Sequence, residues 1–241
     1  MRCENPWRFE PTLRFLAFLP MVMALSGLAV EGFARTMVGT SEPRPGWLLG
    51  AGTGVLHLLM FGMVQWLVRA HGYRWTDAFG IFSHGWPKTW LRTAIWTLPA
   101  MIGAWILHWG CTQILDWFGI SHDAQAAVDA VRRTSAIWER GLLFIFAVLT
   151  APIMEEVLFR GILWPILRDR GWRVVGCVAV SALFALIHAN AAALVPLLAL
   201  GIFWTWLFEK TGDLTTPILS HAIFNGLNFA WLLISVAHSD A

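Results

Sequence analysis

Three charged side chains lie together inside an apolar stretch of this sequence. The segment APIMEEVLFRG carries Glu155, Glu156 and Arg160, whereas LLFIFAVLTAPIM and GILWPIL on either side carry no charge. Glu156 and Arg160 are four residues apart with the acid first, the favourable order for an ion pair on one helical face. Glu155 is rotated by about 100° around the helix, so it is predicted to remain free as a general base. The alternative is one ion network that only packs helices.

Two histidines and an asparagine lie in two later apolar segments. His188 is part of FALIHAN, and His221 and Asn225 are part of HAIFNGLN. His221, Asn225 and Asn228 fall at i, i+4 and i+7 of a helix, a polar stripe that cannot face lipid. Each group alone is compatible with hydrogen bonds that only pack helices. The positions of Glu155, His188 and His221 within their segments give overlapping membrane depths at about 1.5 Å per residue, which predicts one shared pocket.

The other polar residues and the prolines of these segments are assigned structural roles. His57 and His108 have no partner at helical spacing and are expected to serve packing. Asn190 is expected only to terminate a helix. Pro152 and Pro165 bracket the charged motif, and each lacks an N–H, so both are expected to kink the helix and open room near the motif.

The composition indicates a membrane protein. Of 241 residues, 57% are hydrophobic and 13% are charged, against about 45–50% and about 25% in soluble domains. Sixteen Trp and sixteen Phe against one Tyr fit interfacial belts and lipid-facing packing. The sequence contains no basic tract of the kind that would predict a nucleic-acid partner. Cys3, Cys111 and Cys177 are too far apart to indicate a disulfide framework, and the last two are expected to pack in helices.

Apolar runs predict an all-α, polytopic membrane helix bundle around an intramembrane polar cavity. About seven transmembrane helices are expected, with six or eight as the limits. Residues 1–140 would form N-terminal membrane helices and interfacial segments, and residues 141–235 a catalytic helical core. Residues 116–140 are predicted to include an amphipathic helix at the interface. The predicted spans are residues 15–30, 46–68, 93–115, 141–167, 174–188, 191–208 and 214–237.

Lysine and arginine residues are concentrated in alternate loops, which predicts a cytoplasmic N-terminus and an outside C-terminus. Arg2, Arg8 and Arg14 precede the first apolar run, as they would in a cleavable signal peptide. No convincing small-residue cleavage site follows, so an uncleaved first helix is favoured.

Three short motifs occur in a characteristic order on these predicted helices. EEVLFR has the form EExxxR, FALIH the form FxxxH and HAIFN the form HxxxN. In this order the sequence resembles the CAAX-protease and bacteriocin-processing (CPBP, Abi-like) family of intramembrane proteases, related to type II CAAX prenyl endopeptidases. The resemblance covers residues 141–235.

The resemblance implies hydrolysis of a peptide bond inside the membrane by an activated water. Glu155 would be the general base, and His188 would help to hold and polarise the water. His221 and Asn225 would stabilise the tetrahedral oxyanion. Glu156 and Arg160 would support the site.

The same residues raise the question of a metal cofactor. Glu155, His188 and His221 together could bind a divalent ion such as zinc. The HExxH pattern is absent, and a glutamate that activates water directly needs no metal. A glutamic-type mechanism without a cofactor is therefore favoured over metal dependence.

The expected partners are the lipid bilayer and a membrane-associated or secreted peptide or protein. The expected location is a bacterial inner membrane. A non-enzymatic bacteriocin-immunity or regulator-binding protein that uses the same cavity is the alternative. A proton-coupled transporter is disfavoured because the sequence shows no repeated pair of broken helices.

Overall fold

A computed structural model describes residues 6–37, 39, 46–83, 85–121, 126–134 and 136–239 of the chain. Every regular element within these residues is helical, as predicted. The helices are α1 (Phe9–Met37), α2 (Gly46–Ala70), α3 (Trp75–Phe79), α4 (Trp86–Trp117), α5 (Ala126–Arg133), α6 (Ile137–Asp169), α7 (Arg173–Leu186), α8 (Ala191–Thr211) and α9 (Thr215–Ser239). Cys3 lies outside the described residues.

Six of these helices are long and apolar enough to cross a membrane, and α7 is a shorter apolar helix. The polytopic all-α architecture is thus confirmed, and the chain is an integral membrane protein. The predicted spans were too short at several ends. The third predicted span, residues 93–115, corresponds to α4, which begins at Trp86. The prediction missed the first turns of this helix because Lys88 and Arg92 interrupt the apolar run there. The predicted interfacial helix in residues 116–140 corresponds to α5, whose last turn carries Arg132 and Arg133.

The described chain forms two compact units. The first consists chiefly of Arg74–Gln125 and Glu155–Phe224. In it, α8 packs against both α7 and α4. A Cβ atom at Gly201 of α8 would lie 2.8 Å from the Cβ of Ser181 in α7, so glycine is what permits this close approach.

A buried carboxylate, Asp213, fixes the start of α9 in this unit. Its Oδ1 accepts hydrogen bonds from the backbone N–H groups of Thr215 at 2.9 Å and Phe82 at 3.2 Å. Its Oδ2 accepts a hydrogen bond from the Thr89 hydroxyl at 3.3 Å. The first turn of α9 is thereby tied to α4 and to the loop after α3, so the register of His221, two turns later, is set.

The second unit consists of Trp7–Tyr73, Ala126–Met154 and Asn225–Ala241. Helix α1 packs on α2, and α2 packs on the first part of α6. Its buried hydrophobic cluster contains Val131, Leu143, Val148 and Phe229. This unit therefore joins residues from α5, α6 and α9 in one core.

The α-helical hydrogen bonding of α6 is interrupted at two places. Two π-helical segments, Ile145–Thr150 and Val157–Leu163, alternate with three α-helical ones. The EEVLFR motif spans the junction between the central α-helical segment and the second π segment. Short π segments inside α-helices are frequent at functional sites.

Candidate active site

The predicted ion pair of the EExxxR motif is confirmed. Arg160 Nη1 lies 2.9 Å from Glu156 Oε1, and both side chains are fully buried. The second guanidinium nitrogen, Nη2, donates to the carbonyl oxygen of Gly201 at 3.0 Å. The glycine that permits the close approach of α7 and α8 therefore also supplies a carbonyl to the buried cation.

Aromatic rings surround the Arg160 guanidinium. Its Cζ atom lies 4.8 Å from the ring centre of Phe184, 5.4 Å from that of Trp204 and 5.8 Å from that of Phe159. A desolvated cation over ring faces is attracted by their quadrupoles. The rings and the Glu156 carboxylate thus compensate the loss of water around the buried charge.

His221 lies between the two glutamates. Its Nδ1 is 2.9 Å from Glu156 Oε1, and its Nε2 is 3.7 Å from Glu155 Oε2. An ionised carboxylate only accepts hydrogen bonds, so Nδ1 is the nitrogen that donates to Glu156. The contact to Glu155 exceeds hydrogen-bond range. The ring is therefore fixed at one nitrogen and presents the other toward Glu155.

Glu155 differs from its neighbour as the helical geometry predicts. Its side chain is 23% exposed, whereas that of Glu156 is fully buried. Glu155 Oε2 is nevertheless buried and has no hydrogen-bond partner. Glu156 Oε2 is likewise buried and without a hydrogen-bond partner. Buried polar atoms are almost always hydrogen-bonded, and Glu155 is the more exposed of the two side chains, so its Oε2 is the acceptor that a water or a substrate group can reach. Adjacent residues in one helix thus have distinct environments.

His188 joins this group through Phe184. Its Nδ1 lies 2.7 Å from the Phe184 carbonyl oxygen and its ring is 4.8 Å from the Phe184 ring. The Phe184 ring is also 5.7 Å from that of His221. The contact predicted between Phe184 and His188 is confirmed. Because a carbonyl can only accept, Nδ1 carries the proton and Nε2 of the neutral ring is free to accept.

The placement of His188 within a membrane helix was wrong. Helix α7 ends at Leu186, and His188 lies in the following turn, where Ala189 adopts a positive φ of 48°. Asn190 begins the next helix rather than ending this one, since its side chain accepts the N–H of Ala193 at 2.8 Å. The apolar run continued beyond the helix end, so hydropathy alone gave no signal of the turn.

Asn225, in the second unit, satisfies a carbonyl that Pro152 leaves open. In the first π segment the N–H of Ala151 bonds to the carbonyl five residues earlier, that of Phe146. The next such bond would run from residue 152 to Ala147, but proline has no N–H. Asn225 Nδ2 donates to the Ala147 oxygen instead, at 2.8 Å. One of its amide hydrogens is therefore engaged, and the orientation of the amide is set.

Pro165 follows the second π segment in the same register. The N–H of Trp164 bonds to the carbonyl of Phe159, again five residues earlier. The following residue, Pro165, cannot donate to the carbonyl of Arg160. Both prolines therefore lie next to a change in hydrogen bonding along α6, one on each side of the charged motif, and the kink expected from them stays a prediction.

The remaining polar candidates have packing roles, as predicted. His57 Nδ1 lies 2.7 Å from Thr150 Oγ1 within the second unit. His108 Nδ1 lies 3.2 Å from the Ala192 carbonyl oxygen within the first. Cys111 and Cys177 are half-buried and form no disulfide.

The residues proposed as metal ligands do not fit a metal centre. Within the described part of the chain, no three His, Cys, Asp or Glu side chains converge to hold an ion. One nitrogen of His221 is already bound to Glu156, and Nδ1 of His188 is bound to the Phe184 carbonyl oxygen. We therefore derive no step through a metal.

Two residues at the site, Trp204 and Ser220, could not be identified from the sequence. Trp204 stacks on His221 with ring centres 4.0 Å apart and planes inclined by 18°, and Ser220 bonds to that indole. The chain has sixteen tryptophans, and Trp204 ends the apolar run Ala191–Trp204 of α8, so nothing in the sequence distinguished it from an interfacial tryptophan.

Comparison with known proteins identifies the segment that carries the three motifs. The family model of the type II CAAX prenyl endopeptidase Rce1-like group matches residues 137–227. "Putative membrane peptidase YdiL" of Bacillus subtilis (strain 168) is 27% identical over 111 residues, which cover 45% of this chain and 43% of that protein. The aligned region thus spans less than half of the curated relative. No solved structure matches the chain.

Proposed function

We propose that the chain, whose residues 137–227 match the Rce1-like family model of type II CAAX prenyl endopeptidases, is a member of that family and an intramembrane endopeptidase. Its substrate would be a membrane-associated or secreted peptide or protein. The observation that carries the proposal is the buried, unpartnered Oε2 of Glu155, 3.7 Å from a histidine nitrogen whose ring is fixed on a second glutamate.

The proposed reaction is attack by water on the scissile carbonyl. Glu155 takes one proton from the water as its oxygen forms a bond to the carbonyl carbon. The tetrahedral intermediate then collapses as the bond to the amide nitrogen breaks, and the proton held by Glu155 passes to the departing amine. The atoms balance without a cofactor.

His188 is proposed to help hold the water. Its Nδ1 proton is committed to the Phe184 carbonyl, so the ring presents Nε2 as an acceptor for a water hydrogen. A second acceptor for the water that Glu155 activates would orient the water oxygen toward the carbonyl carbon, which is a positioning effect.

His221 and Asn225 are proposed to stabilise the oxyanion. Asn225 follows His221 by one turn of α9, and the Ala147 contact leaves it a second amide hydrogen. Donation from Nε2 of His221, while Nδ1 donates to Glu156, requires the doubly protonated ring. That cation would lie between the carboxylates of Glu155 and Glu156, a favourable place for it. A single oxyanion donor is worth about 3–4 kcal/mol in comparable enzymes.

Glu156 and Arg160 are proposed to support the site without touching the substrate. Both are fully buried and paired with each other, and Glu156 also holds Nδ1 of His221. Their role would be to orient the imidazole and to hold α6 and α8 at the right distance.

The protease assignment is tested by comparing wild type with Glu155→Ala and Glu155→Gln. Membrane and secreted proteomes are compared for cleavage products that disappear. Glu10→Ala serves as the control, because that carboxylate is 73% exposed and pairs with Arg14 on α1. We expect products lost in both Glu155 variants and kept in the control. Unchanged products in the Glu155 variants would favour a non-enzymatic binding protein.

We further propose the inner membrane of a bacterium as the location, with a cytoplasmic N-terminus. Arg69 and Arg74 before α4, and Arg168, Arg170 and Arg173 between α6 and α7, would then be cytoplasmic, as the distribution of positive charge favours. The six long helices alone would return the C-terminus to the cytoplasmic side, so an outside C-terminus requires the shorter helix α7 to cross as a seventh span. A cysteine added at the C-terminus should then react with an impermeant reagent from the outside, and labelling only from the cytoplasmic side would contradict this seven-span topology.

A further inference from the structure

Trp204 covers one face of the His221 imidazole. The two rings are nearly parallel, with centres 4.0 Å apart and an interplanar angle of 18°. Phe184 approaches the same imidazole edge-on, at 5.7 Å and 82°. Trp204 and Phe184 are both fully buried, so the imidazole is packed between a parallel indole ring and a perpendicular phenyl ring.

The indole is itself anchored by hydrogen bonds. Trp204 Nε1 donates to the Ser220 hydroxyl oxygen at 3.0 Å, and the Thr97 hydroxyl donates to the same oxygen at 2.9 Å. These side chains come from α8, α9 and α4, and all of them are buried. Ser220 directly precedes His221, so the anchor of the indole and the ring that it covers lie on one turn of α9.

The orientation of the imidazole decides where Nε2 points. A single hydrogen bond from Nδ1 to Glu156 leaves the ring able to tilt about that bond, because the terminal torsion of histidine is broad. A tilt would swing Nε2 away from Glu155. Stacking on an anchored indole plane removes this freedom, since tilting would cost the close ring contact.

We propose that Trp204 is a positioning residue that fixes the plane of His221 and thereby aims Nε2 at the reacting centre. The inference rests on the proposed peptidase activity. It assigns to α8, which carries none of the three motifs, a direct part in setting the geometry of the active site.

The test compares Trp204→Leu and Trp204→Phe with matched changes at Trp164. Trp164 is as buried as Trp204, and its indole N–H also donates to a side chain, Glu209 Oε1 at 3.0 Å. It differs in that its indole neither stacks on His221 nor lies over the Arg160 guanidinium, whereas the Trp204 indole does both. Activity is measured on purified protein in detergent, with a peptide spanning a cleavage site found in the proteome comparison.

Trp204→Leu should lower kcat by about 10²-fold, the size of effect that a misplaced reacting group can produce, with KM nearly unchanged. Trp204→Phe keeps an aromatic ring that can stack on His221, so it should retain most of the wild-type kcat. Trp164→Leu should lower thermal stability but leave kcat of the folded protein close to wild type. Equal kcat losses in the two leucine variants, or an effect confined to KM, would overturn the proposal.

A second readout does not depend on activity. In protein labelled with ¹³C-histidine, the indole face should shield the Cε1–H resonance of His221, which is assigned by its loss in His221→Gln. Trp204→Leu should move this resonance downfield, and Trp164→Leu should leave it in place. If Glu155→Ala proves to cleave like wild type, the peptidase proposal fails, while an unmoved resonance in Trp204→Leu is what defeats the positioning of His221.

Discussion

The amide nitrogen Nδ2 of Asn225 lies 2.8 Å from the carbonyl oxygen of Ala147, the carbonyl that Pro152 cannot serve. A residue of the HxxxN motif thus completes the hydrogen bonding of the helix that carries the EExxxR motif. This gives Asn225 a structural role beside the catalytic one that we propose, and the two can be separated by experiment.

Asn225→Ala should lower the free energy of unfolding by about 1–3 kcal/mol, because the Ala147 carbonyl loses its donor. In a Pro152→Ala background, residue 152 regains an N–H that can serve that carbonyl, so the same change should cost much less. Chemical unfolding in detergent of the four proteins of this cycle gives the coupling. Purely additive losses would contradict the link between Pro152 and Asn225.

Glu156→Gln should damage folding more than either Glu155→Gln or His221→Ala. It leaves the buried Arg160 without its carboxylate, a loss of about 3–5 kcal/mol for a broken buried pair. Glu155 has no such partner, so Glu155→Gln should remove activity while the yield of folded protein stays near wild type. Yield and monodispersity after size-exclusion chromatography, measured beside activity, test this difference. Equal yields with equal loss of activity would argue against a supporting role for Glu156.

Gly201→Ala should be strongly destabilising and should also reduce activity. The added methyl group would lie 2.8 Å from Ser181 Cβ and 3.0 Å from its Cα, which forces α7 and α8 apart and displaces the carbonyl that binds Arg160. Overpacking of this kind costs about 1–3 kcal/mol. Gly103→Ala in α4 is the control, because a Cβ there meets no atom within 4 Å. Comparable melting temperatures for the two variants would show that α7 and α8 can separate freely.

Activity should survive chelation. The proposed chemistry assigns water activation to Glu155 and charge stabilisation to His221 and Asn225. Among the residues that the structure describes, no three His, Cys, Asp or Glu side chains are placed to hold an ion. Purified protein treated with a strong chelator, and then shown by elemental analysis to contain no metal, should retain full kcat. Loss of activity that added zinc restores would establish metal dependence and reject the direct mechanism.

Contacts between side chains of the same helix could be predicted from the sequence because helical spacing is regular. The separation of four residues placed Glu156 and Arg160 in contact, and the rotation of one residue left Glu155 in a different environment, as observed. Apolar runs found every long helix because the bilayer interior demands them. The predicted ends of the helices were less accurate, since a polar first turn such as that of α4 is helical but lies outside the apolar run.

Contacts between helices were decided only by the tertiary structure. No spacing in the sequence relates Trp204 to His221, Gly201 to Arg160 or Asn225 to Ala147. These pairs depend on which faces of separate helices pack together, and that choice is made by the summed shape of many side chains. The sequence by itself determined a polytopic membrane protein with its motif residues on helices and near helix ends. The packing of α8 against α4 and α7 and the position of α9 decided that Nδ1 of His221 is held by Glu156 while its Nε2 lies 3.7 Å from Oε2 of Glu155.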